Sequence, residues 1–126
     1  MVDHRICAIA LTVASAIIWS PPSALAEPFD GNWSVLARTT RGHCEGIQFA
    51  LVIIHGRIYS AGGSYGGYAS RFGGEVSPAG YVRVNVMAGP RSAHGTGLLR
   101  FYDGEGVWAG RGPSGVCSGE WSAYRF

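Results

Sequence analysis

Glycine spacing is the feature of this sequence that most restricts its fold. All 20 glycines lie at or beyond Gly31, and no glycine-free run after it is longer than the ten residues 32–41. Glycine in a helix interior costs about 1 kcal/mol relative to alanine, so a chain interrupted this often does not favour long helices. The runs between the glycines are rich in β-branched and aromatic residues, which is typical of strands joined by tight turns.

Eight β-rich runs follow one another between turn signals such as His55-Gly56 and Gly89-Pro90. They predict strands at residues 33–40, 47–54, 57–61, 69–76, 81–87, 93–102, 106–111 and 117–126. Asp103-Gly104 is interpreted as the turn of a hairpin between the sixth and seventh strands. Short turns make an up-and-down meander, and closure removes its exposed edges. The sequence therefore predicts an all-β fold, an eight-stranded antiparallel up-and-down β-barrel, whose interior is filled by side chains or holds one small ligand.

The first 26 residues have the three parts of a secretory signal peptide. Arg5 supplies a basic start, an apolar run of 14 residues extends from Ile6 to Trp19, and Ala24-Leu25-Ala26 forms a small-x-small cleavage site. A membrane anchor is the alternative, but spanning a bilayer takes about 20 apolar residues. We therefore expect a signal peptide at residues 1–26 and a single barrel domain at residues 27–126. The protein is expected to be periplasmic or secreted, without a membrane attachment after cleavage.

Two cysteines remain after the predicted cleavage, because Cys7 is removed with the signal peptide. In an exported domain, an even pair such as Cys44 and Cys117 predicts a disulfide. A closed barrel with an even number of strands pairs its last strand with its first. This pairing brings Cys117 to the barrel end where the turn at residues 41–46 carries Cys44. A redox or nucleophilic cysteine is the alternative, and the absence of a Cys-x-x-Cys motif disfavours it.

The charged residues argue against several functional classes. Residues 27–126 contain nine arginines, no lysine and seven acids, and the arginines are scattered, so nucleic acid is not an expected partner. His43, His55 and His94 have no metal-ligand spacing, and no nucleophile–base arrangement stands out. We therefore expect no metal, no cofactor and no enzymatic activity.

A Gly-x-Trp unit occurs three times, ending at Trp33, Trp108 and Trp121. Residues two apart lie on the same face of a strand, so each glycine leaves space beside a large ring. Core packing of the indoles is one interpretation, and a ligand pocket lined by indoles is the other. Trp108 is therefore a candidate binding residue.

The least regular segment, residues 60–68, sets two tyrosines among glycine and serine. Such a composition is typical of recognition loops, in which rigid amphipathic rings are carried on an adaptable backbone. Tyr65 and Tyr68 are candidate binding residues, together with Arg71 just beyond them. A flexible surface loop with its tyrosines folded onto the barrel is the alternative interpretation.

Two features near the ends of residues 27–126 resemble the calycin pattern of lipocalins and avidins. Asp30-Gly31-Asn32-Trp33 opens the first predicted strand, and Arg125 lies near the end of the last. The resemblance implies a calycin-like barrel, closed by a cation–π contact in which Arg125 stacks on Trp33. The whole of residues 27–126 also resembles small exported glycine-rich β-barrel proteins of rhizobia and their relatives. That second resemblance implies export and a barrel fold, without a particular activity.

These observations favour an exported binding protein over an enzyme. Its partner is expected to be a small apolar or aromatic ligand in the barrel, or a protein or glycan at the tyrosine- and glycine-rich loop. A periplasmic inhibitor of a cell-wall enzyme is an alternative. Another is a small outer-membrane barrel, because Tyr124 and Phe126 alternate at the end of the last strand as they do in such proteins.

Overall fold

The computed structural model describes residues 12–17 and 27–126. Residues 12–17 have no regular secondary structure, and the rest of the predicted signal peptide, including its cleavage site, lies outside the described residues. Every regular element in the described ranges is a β-strand. No helix in these ranges is long and apolar enough to span a lipid bilayer.

Ten strands form two sheets. In chain order they are β1 (Gly31–Arg41), β2 (Ile47–Ile54), β3 (Arg57–Ser60), β4 (Ser64–Tyr65), β5 (Tyr68–Ala69), β6 (Arg71–Val76), β7 (Tyr81–Ala88), β8 (Arg91–Leu99), β9 (Asp103–Gly112) and β10 (Gly115–Arg125). Eight of them close a barrel in the order β1-β10-β9-β8-β7-β6-β3-β2, and all neighbours in it are antiparallel. The predicted eight-stranded antiparallel barrel is confirmed.

The remaining two strands, β4 and β5, form a small hairpin between β3 and β6 that the sequence analysis did not predict. Its turn is Gly66-Gly67, and both residues have positive φ, 60° and 84°. A two-residue turn of this kind matches the twist of the flanking strands and strongly prefers glycine. The signal for this hairpin, a Gly-Gly pair between two tyrosines, is therefore present in the sequence.

The turn between β8 and β9 also differs from the prediction. It consists of residues 100–102, and Asp103 and Gly104 already belong to β9. Arg100 holds this turn, because its guanidinium donates hydrogen bonds to Asp103 at 2.7 Å and to Glu105 at 3.3 Å. Gly104 allows β9 to pack closely on β8, since a Cβ there would require the Leu99 side chain to shift.

Burial of the inward side chains divides the barrel into two halves. We call the end where β1 begins and β10 ends the base, and the opposite end the mouth. A core of inward residues fills the base half: Trp33, Val35, Leu51, Ile53, Ile58, Val76, Val82, Leu99, Trp121 and Ala123. Further toward the mouth, inward residues such as Ala37, Phe49 and Val84 are only half-buried. The barrel is thus packed at one end and open at the other.

Two of the Gly-x-Trp units pack against each other across neighbouring strands. In the ladder between β9 and β10, Gly106 lies opposite Trp121 and Trp108 lies opposite Gly119. A Cβ at Gly106 would meet the Trp121 ring at 2.5 Å, and one at Gly119 would meet the Trp108 ring nitrogen at 2.9 Å. Each indole therefore covers the glycine of the partner strand, so the space beside each ring is provided by the glycine across the ladder.

The base is closed by Arg125, which lies directly opposite Trp33 in the ladder between β10 and β1. Its guanidinium carbon is 4.9 Å from the centre of the Trp33 ring and 5.1 Å from that of Phe101. The guanidinium also donates a hydrogen bond to the carbonyl of Pro28 at 2.6 Å, and the Trp33 indole donates one to the carbonyl of Phe29 at 2.8 Å. The segment before β1 is thereby held against the base.

A disulfide joins Cys44 to Cys117, with the two Cα atoms 6.1 Å apart. It links the loop at residues 42–46, on the mouth, to β10, so it bridges the two strands whose pairing closes the barrel. Gly42, at φ +92°, allows the approach, because a Cβ there would crowd the Val116 carbonyl and the Cys117 sulfur. A disulfide of this kind fits an oxidising environment.

Removing the disulfide should make the domain markedly less stable. The bridge closes a loop with a sequence separation of 73, and in the chain-entropy model such a loop contributes about 4 kcal/mol. We expect the double variant Cys44→Ala/Cys117→Ala to lose about this much free energy of unfolding in urea titrations. Addition of a reductant should lower the free energy of unfolding of the wild type and leave that of the variant unchanged. Equal denaturation midpoints for the two proteins would contradict this account.

Two strand glycines provide a matched test of the packed interior. A Cβ at Gly97 would collide with the Glu105 carbonyl and the Trp121 ring, whereas a Cβ at Gly73 would have no atom within 4 Å among the described residues. We expect Gly97→Ala to lower the free energy of unfolding by about 1–3 kcal/mol, as overpacking does. Gly73→Ala should change it by less than about 0.5 kcal/mol. Thermal unfolding of both variants measures the difference, and equal effects would show that the Trp121 packing is misassigned.

Candidate functional site

A cavity of about 440 Å³ occupies the open half of the barrel and reaches solvent at the mouth. Pockets that bind small molecules have volumes of roughly 300–1,000 Å³. The mouth is formed by the loop at residues 42–46, the β4–β5 hairpin and the turns that follow β7 and β9. The packed core of the base forms the floor of the cavity, so the cavity has a single main opening along the barrel axis.

The wall of this cavity is apolar. Its half-buried surface comes from Ala37, Phe49, Phe72, Val84 and Trp108, which project inward from five different strands. Small inward residues at the same level leave the space unfilled, because bulkier ones would occupy it. The lining therefore suits hydrocarbon or aromatic groups, for which burial is favourable at about 25 cal/mol per Å².

The indole N–H groups around the cavity are already hydrogen-bonded to the backbone. Trp108 donates to the carbonyl of Arg38 at 3.1 Å, and Trp121 donates to the carbonyl of Thr96 at 3.2 Å. Both rings therefore offer carbon surface to the cavity instead of free donors. Polar recognition of a ligand has to come from elsewhere in the lining.

One side of the wall lacks a strand near the mouth, because β3 is only four residues long. The ladder between β3 and β6 contains the single pair Arg57 and Glu75, so the mouth halves of β2 and β6 face each other without a described strand between them. The rings of Phe49 and Phe72 stack across this gap, with centroids 4.7 Å apart and planes at 21°. This aromatic pair completes the wall that the short β3 leaves open.

The mouth contains an inward-facing arginine, Arg91, at the start of β8. Its guanidinium lies 5.0 Å from the centre of the Tyr65 ring, and it packs against Gly66, where any side chain would collide with it. The Tyr65 hydroxyl in turn donates a hydrogen bond to the carbonyl of Glu45 at 3.5 Å. Tyr65 thus connects the β4–β5 hairpin to both Arg91 and the disulfide-bonded loop.

The structure brings two of the four candidate binding residues to the cavity. Tyr65 lines its mouth and Trp108 lines its wall. Tyr68 packs on the β7–β8 turn, where its ring would collide with a Cβ at Gly89, and Arg71 is exposed on the outer face of β6, since the next residue points inward. Tyr68 and Arg71 therefore lie outside the cavity lining.

Arg91 and the Phe49–Phe72 pair are site residues that the sequence analysis missed. The predicted sixth strand begins at residue 93, so Arg91 is assigned there to the turn after Pro90. In the structure β8 begins at Arg91 and continues the inward series of Ala93 and Gly95. The period-two alternation, extended back to the proline, is the signal that identifies Arg91 as inward-facing.

A polar cluster lies outside the base, away from the cavity, and consists of Glu27, Asp30 and His55. The Asp30 carboxylate accepts hydrogen bonds from the backbone amides of His55 at 2.6 Å and Gly56 at 3.1 Å. The Glu27 carboxylate lies 2.8 Å from Nδ1 of His55. Three such side chains could offer oxygen and nitrogen ligands to a cation, but both Asp30 oxygens already hold the β2–β3 turn. We interpret the cluster as a cap on that turn.

These contacts set the protonation of Asp30. Burial would raise its pKa, but hydrogen bonds from the backbone amides of Gly56 and His55, with the charge of His55, lower the pKa below the ordinary 3.8. The carboxylate is therefore more stable ionised in the folded state than in the unfolded chain, so its contribution to stability is present above the unfolded pKa. That contribution is lost as the pH falls through the folded pKa.

Asp30→Asn should accordingly show a pH-dependent loss of stability. We expect the variant to be less stable than the wild type by about 1 kcal/mol at pH 7, the scale of a charge-assisted hydrogen bond partly open to solvent. The difference should shrink as the pH falls below 3.8. Urea unfolding of both proteins between pH 7 and pH 3 measures it, and a difference that does not change with pH would contradict the assigned role.

Fold and site together define a disulfide-bonded eight-stranded barrel with a packed base and an open, apolar interior at the mouth. A scan against models of protein families finds no match for this sequence, and a search of curated proteins finds no significant similarity.

Proposed function

We propose that the protein is an exported binding protein that holds a small apolar or aromatic molecule inside its barrel. The observation that carries this proposal is the unfilled apolar cavity of about 440 Å³ above a well-packed core. A barrel that served only as a rigid scaffold would gain stability from larger inward side chains at Ala37 or Ala93. Keeping these positions small favours room for a ligand over maximal packing.

The rigidity of the cavity also supports uptake of a ligand. Its wall is built from barrel strands, and the disulfide fixes the loop at residues 42–46 beside the mouth. A preformed pocket loses little conformational freedom on binding, so more of the hydrophobic gain appears as affinity. The flat aromatic surfaces of Phe72 and Trp108 suit planar or chain-like apolar groups.

The alternatives receive less support from the arrangement of side chains. Recognition of a macromolecule by the tyrosine- and glycine-rich loop would rest mainly on Tyr68, because Tyr65 is engaged by Arg91. Tyr68 itself packs on Gly89 and is only half exposed, so the loop offers little free aromatic surface.

An enzyme would need convergent polar groups in its pocket. The polar side chains that line the mouth, among them His43, Glu45 and Arg111, form no ion pair with one another in the described residues, and the cluster around His55 lies at the opposite end of the barrel. No contact in the described part of the chain specifically favours an inhibitor of a cell-wall enzyme.

The outer face of the barrel disfavours the outer-membrane alternative. Barrels that span a membrane carry an outward apolar band about 25 Å tall. Here Arg83, Glu105 and Glu120 are exposed on the outside, in the interior of β7, β9 and β10. Charged groups at such positions suit an aqueous environment. With the disulfide, they support a protein that works in the periplasm or outside the cell.

Filling the cavity should abolish binding. Ala93 points into the cavity, whereas Thr96 lies exposed on the outer face of the same strand. We expect N-phenyl-1-naphthylamine, a neutral aromatic dye, to show a saturable fluorescence increase with one dye bound per wild-type chain. Ala93→Phe should weaken this binding by about tenfold or more, because the ring occupies the dye's space. The matched variant Thr96→Phe should bind as the wild type does.

Near-ultraviolet circular dichroism of both variants checks that each is folded before its binding is compared. If the dye does not bind the wild type, or binds the folded Ala93→Phe variant equally well, the proposed function is wrong.

A further inference from the structure

We propose that the ligand is an amphiphile with one acidic head group, whose apolar part fills the cavity and whose anion pairs with Arg91 at the mouth. This inference rests on the proposed function and narrows it to a class of ligand. Arg91 is oriented by its contact with Tyr65, and its guanidinium has no hydrogen-bond acceptor among the described residues.

The barrel contains two inward arginines in contrasting surroundings. Arg125, at the base, lies between two aromatic rings and donates a hydrogen bond to the carbonyl of Pro28. Arg91, at the mouth, touches the single ring of Tyr65, and within residues 27–126 its guanidinium has neither an ion pair nor a hydrogen bond. Arg125 thus has a structural role at the base, while the N–H groups of Arg91 have no acceptor among the described residues.

The cation–π contact with Tyr65 holds the Arg91 guanidinium near the ring without pairing its N–H donors with an acceptor. The planar edge of the guanidinium, which carries these donors, therefore remains available. That edge has the geometry to bind a carboxylate through two parallel hydrogen bonds. The stem of Arg91 runs past Gly112, where the lack of a side chain leaves room for it. The cation is therefore preorganised at the rim of an apolar cavity.

The position of Arg91 selects for a ligand with two chemical parts. An acidic group paired there stays beside solvent, so it avoids the large cost of burying an anion within the barrel. The apolar part extends toward Phe72 and Trp108, which line the wall below the mouth. A neutral ligand of the same shape gains the apolar burial alone. A cationic ligand is repelled, because Arg91 and Arg111 outnumber the single carboxylate in the cavity lining, Glu45.

The β4–β5 hairpin positions this cation. Tyr65 contributes the ring, and Gly66 lies against the guanidinium at a φ of +60°, where a side chain would be strained and would also collide. The hairpin thus serves as a support for Arg91, which accounts for an insertion that contributes no strand to the barrel. We assign Tyr65 as a positioning residue and Arg91 as the residue that contacts the ligand.

Three probes that contain ten carbon atoms each and differ in the head group test the inference: decanoate, decan-1-ol and decylammonium, each used to displace N-phenyl-1-naphthylamine from the folded wild-type domain. We expect decanoate to bind about tenfold more tightly than decan-1-ol, since a charge-assisted pair is gained. Decylammonium should bind most weakly. Arg91→Gln should remove the advantage of decanoate and leave the affinity for decan-1-ol unchanged, which shows that the cavity is intact.

The control variant is Arg71→Gln, because Arg71 is also at the mouth end of its strand but is exposed on the outer face. It should keep the full preference for decanoate. Equal affinities of the wild type for decanoate and decan-1-ol would overturn the anionic head group while leaving the proposed function standing. An Arg91→Gln variant that still prefers decanoate over decan-1-ol would also overturn the role of Arg91 while leaving the proposed function standing. If the dye and all three probes fail to bind, the proposed function itself fails, and this inference fails with it.

Discussion

Ladder hydrogen bonds between the first and last barrel strands run from Trp33 opposite Arg125 at the base to Thr39 opposite Gly119 toward the mouth. The other features of the molecule depend on this pairing. At the base it sets Arg125 on the Trp33 ring, and near the mouth it brings Cys117 within reach of Cys44. Closure also satisfies the backbone groups that two open edges would leave unpaired. The ladder therefore creates the enclosed interior on which the proposed function rests.

Side-chain size then divides that interior into a core and a cavity. Large inward residues at the base, such as Trp33 and Ile53, pack to near-complete burial, and Trp121 fits among them because glycines on the neighbouring strands make room. Toward the mouth, small inward residues such as Ala37 and Ala93 leave open space between larger ones such as Phe72. Stability and binding are thus provided by different levels of the same strands. The polar groups of the site, Arg91 above all, lie only at the rim.

Much of the fold follows from local sequence patterns, because strand number, turn positions and the inward face are all encoded in glycine spacing and period-two alternation. The disulfide follows from an even cysteine pair. The cavity could not be predicted from these patterns. Whether a barrel is filled depends on the combined size of inward side chains that lie at the same height on different strands. The length of β3 and the resulting Phe49–Phe72 stack depend in the same way on partners distant in sequence. The inward position of Arg91 was not predicted, because Gly89-Pro90 was interpreted as the start of a longer loop. In the structure these two residues form the whole turn between β7 and β8.

The most direct test of the account is to locate a bound ligand by NMR in valine-methyl-labelled protein, with decanoate as the probe. Val84 and Val86 line the cavity on β7, whereas Val107 and Val116 are exposed on the outside of β9 and at the mouth end of β10. The account predicts intermolecular nuclear Overhauser effects from the decanoate chain to the Val84 and Val86 methyls, with none to Val107 or Val116. Contacts confined to the outer valines, or a saturated complex without contacts to the inner ones, would contradict it.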